Sequence, residues 1–106
     1  MQPGKMKIIN LTNAPKVPFN VDGREIFSSE KACVIHLCLK PGESVKKHSN
    51  PFDVFFYVLK GSGILEAEAE PEELHENDAT YVKANILRGW TNHKHEELKI
   101  LAFKIF

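Results

Sequence analysis

The sequence predicts an all-β fold, one antiparallel sandwich or barrel, and three observations carry that expectation. Prolines and glycines punctuate the chain at Pro15, Pro18, Gly23, Pro41, Gly42, Pro51, Gly61, Gly63, Pro71 and Gly89. The runs between them are short and rich in β-branched and aromatic residues, at the spacing expected of a sandwich or barrel. Helix-period patterning is nearly absent.

Taken in order, strands are predicted near 6–11, 24–28, 32–40, 54–60, 63–70, 79–83, 87–92 and 97–106. The segment "MKIINL" at 6–11 reads as an edge strand ahead of a Pro-rich turn. In "GILEAEAE" (63–70), Leu65, Ala67 and Ala69 share one face, while Ile64, Glu66, Glu68 and Glu70 share the other. That strand has one wet face, and the small alanines on its dry face suit either a pocket inside or a tight sheet contact. In "VFFYVLK" (54–60), Val54, Phe56 and Val58 lie on one face and Phe55, Tyr57 and Leu59 on the other. Both faces are apolar, so the strand must be covered twice: by the barrel interior, and by a second sheet or a partner subunit. The tail "ELKILAFKIF" (97–106) mixes the two patterns and reads as a long closing strand.

With 106 residues there is room for one domain, spanning 1–106, that buries roughly 65% of its unfolded surface. No repeat or linker divides it. Fourteen basic and fourteen acidic residues give a formal net charge of zero, which argues against nucleic acid or an anionic membrane as partner. The uncharged run Val54–Leu59 is far too short to span a bilayer. The opening "MQPGKMKIINL" lacks the apolar stretch of a signal peptide. Cys33 and Cys38, five apart in one predicted strand, point to opposite faces about 16 Å from each other and cannot pair. Unpaired thiols suit a reducing compartment, so a cytoplasmic location is expected.

Two stretches together resemble the two motifs of the cupin superfamily. The first motif runs Gly, five residues, His-x-His, three or four residues, Glu, six residues, Gly. In "PGESVKKHSNPFDVFFYVLKG", Gly42 is followed by His48, then Asn50 where the second His belongs, Val54 in the Glu position, and Gly61. The second motif is matched by "NDATYVKANILRGWTN", with Asp78, Lys83 for Pro, Asn85 for Gly, Arg88 for His, and Asn92 in place. The motifs fall at about 42–61 and 77–92, and the resemblance covers about 32–103. It implies a small single-domain cupin: a double-stranded β-helix, or jelly-roll barrel.

Of the four residues that bind metal in typical cupins, only His48 is kept. Asn50, Val54 and Arg88 offer a weak neutral oxygen, an alkyl group and a cation, whereas first-row divalent metals want imidazole, thiolate or carboxylate. A metal-binding motif degraded this far predicts no cofactor. A divalent metal, if held, would rely on His48, Asn50 and, from a neighbouring strand, His36, provided the face His36 shares with Val34 and Cys38 lines the barrel. The bland alternative for His36 is a satisfied core histidine. His93 and His95 sit in a charged turn, the glutamates between 66 and 76 read as a solvated face, and His75 has no visible partner.

Carried over by position, His48, Asn50, Val54 and Arg88 ring the former metal site, with Phe56 and Trp90 as neighbours. An arginine inside a barrel cannot shed its charge. It requires either a ligand anion, a carboxylate or phosphate, or an outward turn to Asp53, Asp78 or water. Asp53 has the opposite strand parity to Val54 and should face away. Two classes of function follow. One is a metal-free small-molecule-binding protein. The other is an enzyme, either an isomerase or epimerase with His48 as general base or a metal-dependent oxygenase with a non-standard site. A homodimer is expected, with 6–11 paired against the partner or the barrel's own edge.

Overall fold

The computed structural model describes residues 4, 6–68 and 70–106. Among these there are nine strands: β1 (Asp22–Ser28), β2 (Ala32–Leu39), β3 (Ser44–His48), β4 (Asp53–Lys60), β5 (Gly63–Glu66), β6 (Glu72–Leu74), β7 (Ala79–Val82), β8 (Arg88–Thr91) and β9 (Leu98–Ile105). They form a five-stranded sheet in the order β1-β2-β9-β4-β7 and a four-stranded sheet in the order β3-β8-β5-β6. Every pairing is antiparallel. No helix among the described residues is long and apolar enough to cross a membrane.

Strand parity places the core. On β2, Cys33, Ile35, Leu37 and Leu39 are buried; on β4 the same holds for Val54, Phe56 and Val58, and on β9 for Leu98, Ile100 and Ala102. These three strands lie side by side, so their inward residues make one continuous apolar wall. The four-stranded sheet closes over it with Val45, Leu65, Leu74 and Trp90. At about 1.5–3 kcal/mol for each large aliphatic or aromatic side chain buried, this wall dominates the stability of the fold.

The inward set on β2 corrects one expectation. His36 alternates with Ile35 and Leu37, so it lies with Val34 and Cys38 on the outside of the five-stranded sheet, opposite Arg24 and Leu101. It is buried there by neighbours on the sheet surface and takes no part in the barrel interior. Its parity is ambiguous in the sequence because both faces of the segment are largely apolar.

Three further differences concern elements. Residues 6–11 form no strand, and Met6 and Ile8 are exposed. The barrel's first edge is instead β1, which starts two residues earlier than predicted and bulges between Glu25 and Phe27. The strand predicted over 63–70 ends at Glu66. Ala67 therefore lies beyond the strand and gives no room inside the barrel, and Ala69 lies outside the described residues. Finally, β3 and β6 had no sequence signal. Both are edge strands of the smaller sheet, and "SVKKH" and "EEL" are short and charged. Edges are blunted by such composition, which removes the apolar alternation that announces a strand.

The motif's turn positions are backbone devices. Gly61 has φ of 79°, and a Cβ there would run into the carbonyl of Glu97. Asn85, at the position of the motif's turn glycine, also has a left-handed φ of 69°, a conformation that asparagine tolerates better than other non-glycine residues. Asn92 is fully buried and ties the end of β2 to the turn before β9: its amide donates to the carbonyls of Leu39 (2.9 Å) and Glu96 (2.8 Å).

Candidate functional site

A cavity opens between the two sheets. His48, Asn50, Val54, Phe56, Arg88 and Trp90, the six residues named from the motif positions, all line it. Val54 and Phe56 come from the larger sheet, Arg88 and Trp90 from β8, and His48 from the end of β3, with Asn50 just beyond. Gly89 makes this possible. A Cβ at Gly89 would stand 2.7 Å from the carbonyl oxygen of Val45, and β3 carries an irregularity between Val45 and His48 at that point. The bare glycine lets β8 press against β3 while the flanking Arg88 and Trp90 both turn inward.

Burial divides the cavity into a floor and a rim. Val54, Phe56, Arg88 and Trp90 are buried, whereas Phe19, His48, Asn50 and Lys104 are only half-buried. Phe56 and Trp90 meet edge to face, with centroids 5.5 Å apart and planes at 81°. The space measures about 30 Å³. At roughly 10–15 Å³ per water, it holds about two water molecules. A small ligand, or one group of a larger ligand, fits there.

Arg88 is the chemical centre of the floor. It is 4% exposed and sits across β3–β8 from His48. Its Nη1 donates to the main-chain oxygen of His48 (3.2 Å). Its Nη2 donates to the side-chain oxygen of Asn50 (2.7 Å), with the Asn50 amide nitrogen turned to the carbonyl of Ser49. Both acceptors are neutral. Among the described residues, no acidic side chain lines the cavity. Burial pulls the Arg88 pKa below its ordinary value, but a guanidinium remains charged at physiological pH. Arg88 Nε and Trp90 Nε1 are buried N–H donors with no hydrogen-bond partner among the described residues. Buried donors are seldom left orphaned, and here two belong to one cavity wall.

The outward alternatives for Arg88 are occupied otherwise. Asp53 faces away from the cavity, as its parity predicts. It accepts from the Tyr81 hydroxyl and from the backbone N–H of Ala84 (2.8 Å), and these two bonds hold its carboxyl below the usual range. Asp78 accepts from the backbone N–H of His75 (2.7 Å).

The His48 ring turns back on its own strand: Nδ1 lies 3.0 Å from the carbonyl oxygen of Lys46. A carbonyl only accepts, so Nδ1 carries the hydrogen, and neutral His48 keeps its lone pair at Nε2. Phe19 flanks the ring at 6.2 Å between centroids.

The metal test is decided by donor chemistry. His48 supplies one imidazole, Asn50 directs its oxygen to Arg88 rather than inward to an ion, and Val54 has no donor. His36 is on the other side of the sheet. A guanidinium at the fourth position repels a cation. These residues do not fit a divalent transition metal.

Outside the cavity, His75 has the partner that was not visible in the sequence. Its Nε2 lies 2.9 Å from one oxygen of Glu73, and His93 Nε2 lies 2.7 Å from the other. The hydrogen bonds from His93 and then His75 hold the Glu73 carboxyl low. Glu66 pairs with Lys47 at 3.3 Å. The glutamate-rich stretch is thus a surface ladder.

Lys104 and Phe19 are among the lining residues that the sequence reading did not name. Lys104 shares the inward face of β9 with Leu98, Ile100 and Ala102, and that alternation was the available signal. Phe19 comes from an irregular segment, and no periodicity announces it.

This barrel and its motif positions define a cupin. A model of the cupin domain (Cupin_2) matches residues 35–104, and the chain belongs to that family. A stretch of 48 residues is 38% identical to the tetracenomycin polyketide synthase protein TcmJ of Streptomyces glaucescens, covering 44% of this chain. The match spans about a third (32%) of TcmJ. Among solved structures, the fold resembles TT1209 from Thermus thermophilus (TM-score 0.79, 24% identity, 94% of this chain and 97% of that one). It also resembles a protein described as a predicted oxalate decarboxylase from Thermotoga maritima (0.82, 18%, 94% and 99%). The polyketide cyclase RemF of Streptomyces resistomycificus is similar again (0.80, 16%, 95% and 80%). At these identities the structural likeness establishes the fold alone.

Proposed function

We propose that this cupin is a small-molecule-binding protein whose barrel, without a metal, takes an anionic group against Arg88. The observation that carries this reading is the buried Arg88 guanidinium, which bonds to neutral acceptors only and lines a cavity with no acid among the described residues. A carboxylate or phosphate group placed in the cavity beside Arg88 neutralises the guanidinium. Such a charge-assisted contact is worth about 1.5–3 kcal/mol, and the Phe56–Trp90 floor excludes the water that would weaken it. Calorimetric titration and thermal shift with small carboxylates and phosphates, on wild type and Arg88→Met, test it. Binding that weakens about tenfold or more in the variant supports the reading; equal binding in both proteins overturns it.

A second reading is catalytic. The Lys46 carbonyl fixes the His48 ring with its Nε2 lone pair available, as a general base in an isomerase or epimerase requires. TcmJ and RemF carry polyketide functions in their names, but a cavity of about 30 Å³ is too small to enclose such a substrate. Turnover that depends on pH and is lost in His48→Ala would favour this reading over binding alone.

A further inference from the structure

Lys104 stands on the rim of the same cavity, on β9, with its side chain on the inward face. Its Cα partner across the sheet is Val54, the position where the family motif has its carboxylate. Lysines are mostly solvated, yet this one is half-buried, with Nζ 5.9 Å from the centroid of the Phe19 ring and 5.8 Å from that of Phe52. The aromatic faces partly compensate the ammonium, and they hold it at the rim. Among the described residues, the lysine–carboxylate pairs are Lys47–Glu66 and Lys94–Glu73, and Lys104 has none. The cavity therefore carries two fixed cations, one on the floor and one on the rim, with no acid between them.

We infer that the ligand carries two anionic groups on a short frame, as in a small dicarboxylate: one group meets Arg88, and the other meets Lys104. This rests on the anion-binding reading of the floor and specifies its ligand class. The narrow cavity limits the spacer to a few atoms. A monocarboxylate satisfies the floor and leaves the rim ammonium unmatched.

Titration of the full chain with acetate and malonate, in wild type, Lys104→Met, Lys104→Arg and Arg88→Met, tests the inference. Wild type is expected to bind malonate about three- to fivefold tighter than acetate, the range of a partly exposed ion pair. Lys104→Met is expected to bring the malonate-to-acetate ratio toward one, and Lys104→Arg to keep the preference. Arg88→Met is expected to weaken both ligands. If acetate binds through Arg88 but malonate gains nothing, or the ratio survives Lys104→Met, the two-cation inference is wrong while the floor reading stands. If folded wild type binds neither ligand, both fail.

Discussion

Arg88 bonds to the backbone of His48 and not to its ring: Nη1 meets the main-chain oxygen at 3.2 Å, while the imidazole turns to Lys46. Two residues that would converge on one metal ion in other cupins are therefore coupled through the peptide. The guanidinium is held in place by neutral acceptors and keeps its whole charge for something else.

One consequence concerns stability. A buried cation without a counter-ion is costly, and an apolar side chain of similar length relieves that cost. Arg88→Met without ligand is expected to match wild-type stability to within about 1 kcal/mol, because relief of the buried charge offsets the loss of its two hydrogen bonds to neutral acceptors. Urea denaturation measures this. A loss above about 3 kcal/mol would mean that Arg88 is already satisfied as a structural group.

Restoring the family carboxylate should close the site. Val54 is buried on the cavity wall, so the acid in Val54→Glu would enter between Arg88 and Lys104. The variant is expected to fold, because its charge is matched, and to lose carboxylate binding. Thermal shift reads both: a retained transition, and no further rise with acetate or malonate.

Asn92 should behave oppositely, mattering to the fold and not to the ligand. Asn92→Ala leaves the buried carbonyl of Leu39 and the partly exposed carbonyl of Glu96 without this donor. A loss of about 2–4 kcal/mol is expected, each orphaned group contributing roughly 1–2. Chemical denaturation gives the loss, and titration of the folded variant should show wild-type affinity for acetate.

Acidification should act through His36. Burial first, and Lys99 second, lower its pKa in the folded chain. The unfolded chain then binds more protons below its ordinary pKa of about 6.5, so stability falls as pH drops through that value. Between pH 7.5 and 5.5 the urea midpoint is expected to fall in wild type and to fall less in His36→Gln. Equal slopes would show that His36 is not the group responsible.

The outer face of the five-stranded sheet bears on assembly. Phe55 and Phe103 pack there with centroids 5.9 Å apart, half-buried, next to Tyr57 and Leu101. This is the second apolar face of β4 that the sequence said must be covered. A second copy of the chain is the expected cover, since isologous dimers are the commonest assembly. Light scattering at micromolar concentration should give about twice 12.0 kDa, and Phe103→Glu should halve it. A monomeric wild type would refute this.

The legible parts of the fold were those with strong periodicity or fixed spacing. β4 could be read from its unbroken run of β-branched and aromatic residues and β8 from its place in the second motif. Because the motif positions meet in space, His48, Asn50, Val54 and Arg88 could be gathered although they are spread over two motifs and three strands. The illegible parts have physical reasons too. β3 and β6 are charged because they are edges. His36 lay on an ambiguous strand with two apolar faces. Lys104 sits in a tail of mixed pattern, and its face became the interior only once β9 was seated between β2 and β4.

The distribution of charge has one more consequence. The chain as a whole is neutral, yet among the described residues the cavity lining holds two cations and no acid, so the rest of the molecule carries the matching surplus of acid. An approaching anion feels little pull at a distance beyond the Debye length of about 8 Å in physiological salt, and a net attraction only near the opening. Association should then proceed without long-range steering and respond weakly to ionic strength. Discrimination between charged and uncharged ligands falls instead to the dissociation step, where the guanidinium must be parted from its anion in a place that water scarcely enters.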